Sequence, residues 1–453
     1  MRTWCNPLPL PRRPGSRGAG TGAADPEAVL HEGLYYLFVT GGQAYVSKDL
    51  FTWEYRRVET PFEVVGPALA LKDGFFYLAG NGCEGMLRAR HPLGPWENLG
   101  EIQDHEGRRV HWADLMFFVD EDGTFYCYHQ PGTGVGTDGI FAAAMDPRAG
   151  YRRALSPARK CLGFEPAHEW ERFGDRNEFP DYGWIEGPFM TRRGGKYHLQ
   201  YSGCGTEWVR YAVGLYTADA ALGPFRYDER SPLLTSTSGL LQGTGHHGLV
   251  GAADGRLWNV YHVLVHLTGK FDRRLALDPV DFDAEGRMVF HGPSQTPRNP
   301  DGSDAGLVPL GVGKEVRASS QAPGRDAAYA VDDNVRTFWQ ASDETIPQWL
   351  ETDLGAEFTV GAQRLVFAEP AARGGSRAEW KPYGYRLEAS LDGKAWGTVL
   401  DRTADGPDSD IRYDEVTGEG DRPVRARYLR LHITAKPSGL PVGVIDWGIF
   451  GKR

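Results

Sequence analysis

The chain is poor in the features that mark disulfide scaffolds, membrane spans and nucleic-acid binders. Among 453 residues there are five cysteines, Cys5, Cys83, Cys127, Cys161 and Cys204. Their number is odd and they show no metal-ligand spacing, which excludes a disulfide framework or a zinc knuckle and leaves reduced thiols as the expectation. Cys127 lies between two tyrosines of a strand-like run, where core packing is its expected role. No apolar run approaches the length of a membrane helix, so no membrane partner is expected. Positive charge is in deficit: 50 Lys and Arg against 60 Asp and Glu give a formal charge of -10, which argues against nucleic acid as a partner. Met1 to Ala24 carries basic residues with no apolar stretch behind them. No secretory signal is read there and a cytoplasmic location is expected, with export by another route left open. Long amphipathic helix patterns are scarce. No phosphate-binding glycine loop, Ser-His-Asp arrangement or zinc spacing stands out.

What the chain does have is repetition. Gly 59, Pro 30 and 12% aromatic residues fit many short strands and tight turns, an all-β chain. A phrase made of a short apolar stretch, a glycine and an aromatic-rich strand occurs five times. It begins at Asp25-Pro26, Gly66-Pro67, Asp114-Leu115, Glu186-Gly187-Pro188 and Gly245-His246. Unit ends echo one another too, as in Phe51-Thr52-Trp53, Gly94-Pro95-Trp96 and Gly223-Pro224-Phe225. An aromatic after a tight turn suits an outer strand that packs sheet on sheet.

Repeats of this length predict radial packing around a channel. The openings of the innermost strands would then converge, bringing together Asp25, Asp114, Glu186 and His246. One mismatch stands out. Glu186 sits one place earlier relative to its proline than Asp25 does, and in a flat strand that shift turns a side chain to the opposite face. A bulge or kink would have to absorb it. Asp120 and Asp122, by contrast, read as hairpin-turn residues.

The repetition stops near Gly292, and a polar stretch follows to about Gly313. The expected division is a propeller over 1–300, a linker over 301–313 and a β-sandwich over 314–453, whose strands include Trp349–Leu354 and Tyr428–Ile433.

Several segments carry a resemblance. Ala24-Asp25-Pro26, Trp112-Ala113-Asp114-Leu115, Ile185-Glu186-Gly187-Pro188, Gly243-Thr244-Gly245-His246-His247 and Arg273-Arg274-Leu275, in this order, resemble glycoside hydrolase family 43, a group of five-bladed propellers that are inverting glycosidases. Thr3-Trp4-Cys5-Asn6-Pro7 is similar to the start of one branch of that family, whereas the basic segment from Arg12 to Arg17 departs from it. Residues from about Val316 to Gly451 resemble the factor V/VIII type C, or discoidin, domain, a jelly roll that often serves as a family 32 carbohydrate-binding module. The matching pieces are Ala330-Val331-Asp332-Asp333-Asn334, Thr337-Phe338-Trp339, Pro347-Gln348-Trp349-Leu350, Ser390-Leu391-Asp392-Gly393 and Ala426–Leu431.

The resemblance implies Asp25 as general base, Glu186 as general acid and Asp114 as the residue that orients Glu186 or the sugar and keeps the acid protonated. Inversion needs two carboxyls roughly 6.5–9.5 Å apart, with a water between one of them and the sugar. It also implies that His246 lies deep in the pore, holding a water or a metal ion, and that Arg273 rather than Arg274 faces the sugar or an acid. His247 should face away in a regular strand. Sugars stack on aromatic faces, so Trp112 and Trp184 are candidate subsite walls, with Trp4 and Trp208 behind them. Catalysis of this kind needs no cofactor. Asp332, Asn334, Thr337 and Asp446 match positions that often hold structural calcium in discoidin-like modules, and an Asx-rich turn without metal is the alternative.

The expected activity is therefore release of terminal sugars by an inverting exo-glycosidase acting on plant-type glycans or their oligosaccharides. α-L-Arabinofuranose is the first expectation, with β-xylosidase or β-galactofuranosidase activity as alternatives. A lectin-like propeller with a dead site is the rival from another class.

Overall fold

In the computed structural model the five phrases become five four-stranded antiparallel sheets, each wound from its innermost strand outward. The structure describes residues 3–13, 22–265, 272–368, 381–404, 409–418, 420 and 422–453; part of the basic segment, residues 14–17, lies outside them. The innermost strands are Glu27–His31, Ala68–Lys72, Ala113–Val119, Glu186–Arg193 and Gln242–Gly251. Among the described residues the only helical elements are short 3₁₀ turns, and no helix is long and apolar enough to cross a membrane.

The aromatic-rich strands explain the architecture. In Leu34–Val39, Tyr36 and Phe38 pack with Leu69, Phe76 and Leu78 of the second blade. Tyr35 and Leu37, pointing the other way, pack with Val250 and Trp258 of the fifth. Side chains alternate faces along a strand, and a strand apolar at every position can be satisfied only by neighbours on both sides. A ring of blades supplies them.

The N-terminal segment closes the ring. The Leu8 N–H donates to the Leu275 carbonyl at 2.7 Å. The fully buried Asn6 side chain accepts the Leu277 N–H at 2.8 Å and donates to its carbonyl at 3.0 Å. One amide thus does the work of a missing strand partner. Asn6→Ala leaves both Leu277 backbone groups buried and unpaired, and should destabilise the protein by about 2–3 kcal/mol, read by denaturant unfolding monitored at the propeller tryptophans.

The C-terminal unit is a nine-stranded arrangement centred on the long strand Gln348–Phe367, which pairs with Val424–Ala435 and Gly443–Lys452. Trp339, Trp447, Phe367 and Tyr385 fill its core. The interdomain stretch is short and pinned: Val308–Pro309 already pairs with Gly451 and Phe450. The two domains share one apolar core, in which Leu240, Leu241, Tyr261 and Val263 of the propeller meet Val335, Phe338, Val366 and Ile445. Arg364, fully buried, donates to the carbonyls of Asn6 and Gln295, both at 3.0 Å, and so clamps the second domain to the N-terminal segment. The five cysteines are free thiols.

Candidate active site

A repeated backbone device builds the site. One residue at the start of each unit, the first or the second, adopts a left-handed conformation: Asp25 at φ 54°, Gly66 at 58°, Asp114 at 47°, Gly187 at 55° and His246 at 36°. Non-glycine residues rarely hold such angles, and the strain is typical of sites where a side chain must be aimed. The one-residue shift of Glu186 is resolved here. Gly187, not Glu186, occupies the kinked position, and the pairing register jumps between Glu186 and Phe189. Glu186 therefore projects from the residue before the kink while its three counterparts project from the kink itself.

A second ring of residues fixes these kinks, and the sequence reading missed it. In each blade the second strand ends on a polar residue opposite the position before the kink: Thr40, Asn81, Gln130, Ser202 and His262. Each reaches towards the next blade. Thr40 Oγ1 accepts the Gly66 N–H at 2.8 Å and donates to Asp25 Oδ2 at 2.5 Å. Asn81 Oδ1 accepts the Asp114 N–H at 2.6 Å, and its amide donates to Asp114 Oδ1 at 3.3 Å. Gln130 donates to the Ile185 carbonyl, and Ser202 Oγ accepts the His246 N–H at 2.8 Å. His262 completes the circle with Nδ1 3.8 Å from Asp25 Oδ1. At Gly66 a Cβ would come within 2.9 Å of Asn81 Oδ1, so a side chain there would have to displace that amide.

The acids form one network. Asp25 Oδ1 lies 3.0 Å from Arg273 Nη1 and 3.2 Å from His246 Nδ1. The same His246 nitrogen lies 3.8 Å from Asp114 Oδ2, which accepts the Gly187 N–H at 3.2 Å. Arg273 also donates to Thr206 Oγ1 at 3.2 Å. Glu186 Oε1 accepts from the buried Tyr211 hydroxyl at 2.7 Å. Asp25, Asp114 and Glu186 are each only 8% exposed.

Their surroundings push two of the carboxyls in opposite directions. Burial would raise Asp25, but His246, the Arg273 guanidinium and the Thr40 hydroxyl outweigh it and hold the group at about 2. Burial raises Glu186 well above the usual carboxylate range, and the neighbouring charges of Asp114 and Asp25 raise it further against the Tyr211 hydrogen bond. Burial and like charge thus favour the proton on Glu186, while the cationic neighbours of Asp25 favour its ionised form. His262 is buried and kept neutral, chiefly by desolvation and then by the charge of Arg273.

The remaining expected residues fall in several places. Arg273 faces the acids; its neighbour Arg274 points the other way, to Asp272 and Asp410. His247 turns away between Phe189 and Phe290, and burial lowers it to about 3. Trp112 is stacked on His129 at 3.7 Å inside the core of blades two and three. Trp184 stays half exposed, packed over Gly136. Trp4 is a core residue between Phe51 and Trp258, so it is no subsite wall; Trp208 stands edge-on to Phe173. Asp120 closes a turn to Gly123 and pairs with Arg192 at 2.9 Å, while Asp122 accepts the Thr124 N–H.

The four residues matched to a calcium site already have hydrogen-bond partners, some of them one another. Thr337 donates to Asp332 Oδ2 at 2.6 Å, and Asn334 Oδ1 accepts the Arg336 N–H at 3.0 Å. Asp446 Oδ2 takes Arg364 Nε at 2.8 Å and the Gly448 N–H at 3.1 Å. A guanidinium thus occupies one carboxylate oxygen of Asp446, a contact that a cation at that oxygen would have to replace. Among the described residues no cluster of three or more His, Cys, Asp or Glu is placed to hold a metal.

The sequence matches the model of glycosyl hydrolases family 43 over residues 18–288, more than half of the chain. The chain belongs to that family. An F5/8 type C domain follows over residues 315–445. Among curated proteins, the extracellular exo-alpha-(1->5)-L-arabinofuranosidase of Streptomyces chartreusis is 29% identical over 38% of this chain and 50% of its own length, so the chain spans only half of that relative. The beta-D-galactofuranosidase xynD of Aspergillus niger is 29% identical over 59% of this chain and 81% of its own. Among solved structures, a thermostable family-43 glycoside hydrolase superposes with a TM-score of 0.55 at 23% identity, covering 66% of this chain and 99% of that one. The Bacteroides ovatus xyloglucan PUL GH43B covers 100% of both chains with a TM-score of 0.50 at 16% identity, a likeness of fold alone.

Proposed function

We propose that the protein is an inverting exo-glycosidase that releases terminal furanose sugars, α-L-arabinofuranose first among them, from plant-type glycans or their oligosaccharides. The observation that carries the reading is the convergence of the blade openings, which places Asp25 on Arg273 and His246 and Glu186 on Tyr211, in surroundings that push the two carboxyls in opposite directions. In the proposed reaction Asp25 takes a proton from water as its oxygen bonds the anomeric carbon. Glu186 gives its proton to the leaving oxygen as the glycosidic bond breaks. Asp114 braces the Gly187 backbone next to the acid and raises its proton affinity. Arg273 and His246 hold Asp25 ionised and aimed. These steps use only the chain's own residues.

The two curated relatives support a furanosidase, since L-arabinofuranose and D-galactofuranose share the five-membered ring. The wider match to the Aspergillus protein makes β-D-galactofuranoside the second substrate to test. A panel of nitrophenyl α-L-arabinofuranoside, β-D-galactofuranoside and β-D-xylopyranoside should show turnover highest on a furanoside. Proton NMR of the first-formed sugar should show the anomer opposite to that of the substrate. Retained configuration, or activity confined to the pyranoside, overturns the reading.

A further inference from the structure

The strand that carries Arg273 is tied to the second domain one residue further on. Arg274 is fully buried and its guanidinium is shared among three acceptors. Nη2 donates to Asp410 Oδ2 at 2.5 Å, with Nε 3.4 Å from Oδ1. Nη1 donates to Asp272 Oδ1 at 2.6 Å and to the carbonyl of Arg273 at 3.0 Å. That same carbonyl accepts the Ala23 N–H at 3.1 Å, two residues before Asp25. Both oxygen lone pairs are thereby used, one towards the segment that leads to Asp25, the other towards Asp410 of the C-terminal domain. On the opposite face of the strand Arg273 reaches Asp25 and Thr206. Asp410 is itself held in place, since its carbonyl accepts the Phe367 N–H at 2.9 Å from the central strand of the sandwich.

We propose that Asp410 is a positioning residue for hydrolysis: through Arg274 it fixes the Arg273 peptide, and with it both the Arg273 guanidinium and the approach of the Asp25 segment. The C-terminal domain is then a working part of the active site and not only an appended module. This rests on reading Asp25 as the general base. The charge pattern fits the role. The groups facing Arg274 are Asp272, Asp410 and, at longer range, Tyr45. A buried guanidinium deprived of Asp410 has one carboxylate left, Asp272 beside it in the chain, and is free to swing towards it. Asp25 is faced by Arg273, His246 and His262, with Thr40 on its other oxygen and Glu186 across the site. Of these, only Arg273 is attached to the Arg274 peptide.

The test uses the full chain carrying Asp410→Asn, and separately the double change Arg274→Met with Asp410→Leu, which replaces the buried pair by apolar groups and protects folding. On the glycoside that the panel selects, both should lower kcat by about 10-fold or more, the cost of a displaced catalytic group, with a smaller change in KM. Both should move the acid limb of kcat/KM to higher pH, because Asp25 loses part of the cationic field that keeps it ionised. Asp410→Glu should restore part of the rate. Arg336→Ala cuts a second interdomain ion pair, to Asp175, and should leave the acid limb where it is. A wild-type acid limb in both the Asn variant and the double variant overturns the proposal, whatever happens to melting temperature. If Asp25→Asn itself leaves turnover intact, the base assignment has failed and the structural readout decides. A crystal structure of Asp410→Asn that keeps Arg273 Nη1 on Asp25 Oδ1 overturns positioning, and loss of that contact supports it.

Discussion

Replacing Asp25 by Asn should lower kcat by about 10⁴-fold and leave the protein folded. The amide keeps the size of the carboxyl and can keep the Thr40 hydrogen bond, so the kinked start of the first blade is retained. It cannot accept a proton from water. It also leaves Arg273 facing a neutral group, which costs stability, and this outweighs the relief from the desolvation penalty of a buried anion, since the neighbours of Asp25 hold it below its ordinary value. The residual effect has a defined pH sign. Asp25 sits at about 2 when folded, below its ordinary value near 3.8, so its contribution to stability is present above about pH 4 and is lost as pH falls towards 2. Melting temperatures of wild type and variant should therefore converge on acidification. Turnover within ten-fold of wild type at neutral pH removes Asp25 from the mechanism.

Much of this site was legible because its residues repeat. Asp25, Asp114 and His246 share one place in the unit, and the repeat alone brings them together. Glu186 was legible only as an offset. What the offset meant depended on Gly187 holding the left-handed angle, a backbone property that does not show in a list of acidic positions. Thr40, Asn81, Ser202 and His262 were missed for a different reason. Each is an ordinary polar residue at the end of the second strand, and the signal lies in comparing those ends with one another. Aromatic faces already in use are equally hidden from the sequence: Trp4 packs between Phe51 and Trp258, and Trp112 stacks on His129. The resemblance to discoidin-like modules implied a cation or a metal-free turn at Asp446; it could not reveal that the strand pairing lays Arg364 beside that carboxylate. Nor could it reveal Asp410, whose partner lies across a domain boundary.

Glu186→Gln should separate substrates by how much help their leaving groups need. On an oligosaccharide the departing alkoxide is strongly basic, so loss of the acid should lower kcat by about 10³-fold. On a dinitrophenyl furanoside the leaving phenolate is stable without a proton, and the loss should be far smaller. The same change should remove the basic limb of the pH profile. That limb is expected because burial, then Asp114 and Asp25, raise Glu186 above the ordinary carboxylate range, so that activity should fall as its proton leaves. Tyr211 works in the opposite direction, steadying the ionised form with its hydroxyl. It therefore makes the acid strong enough to release its proton while burial keeps the proton in place beforehand. An equal loss on both substrates, with the basic limb still present, would mean that Glu186 only shapes the pocket and that another group supplies the proton.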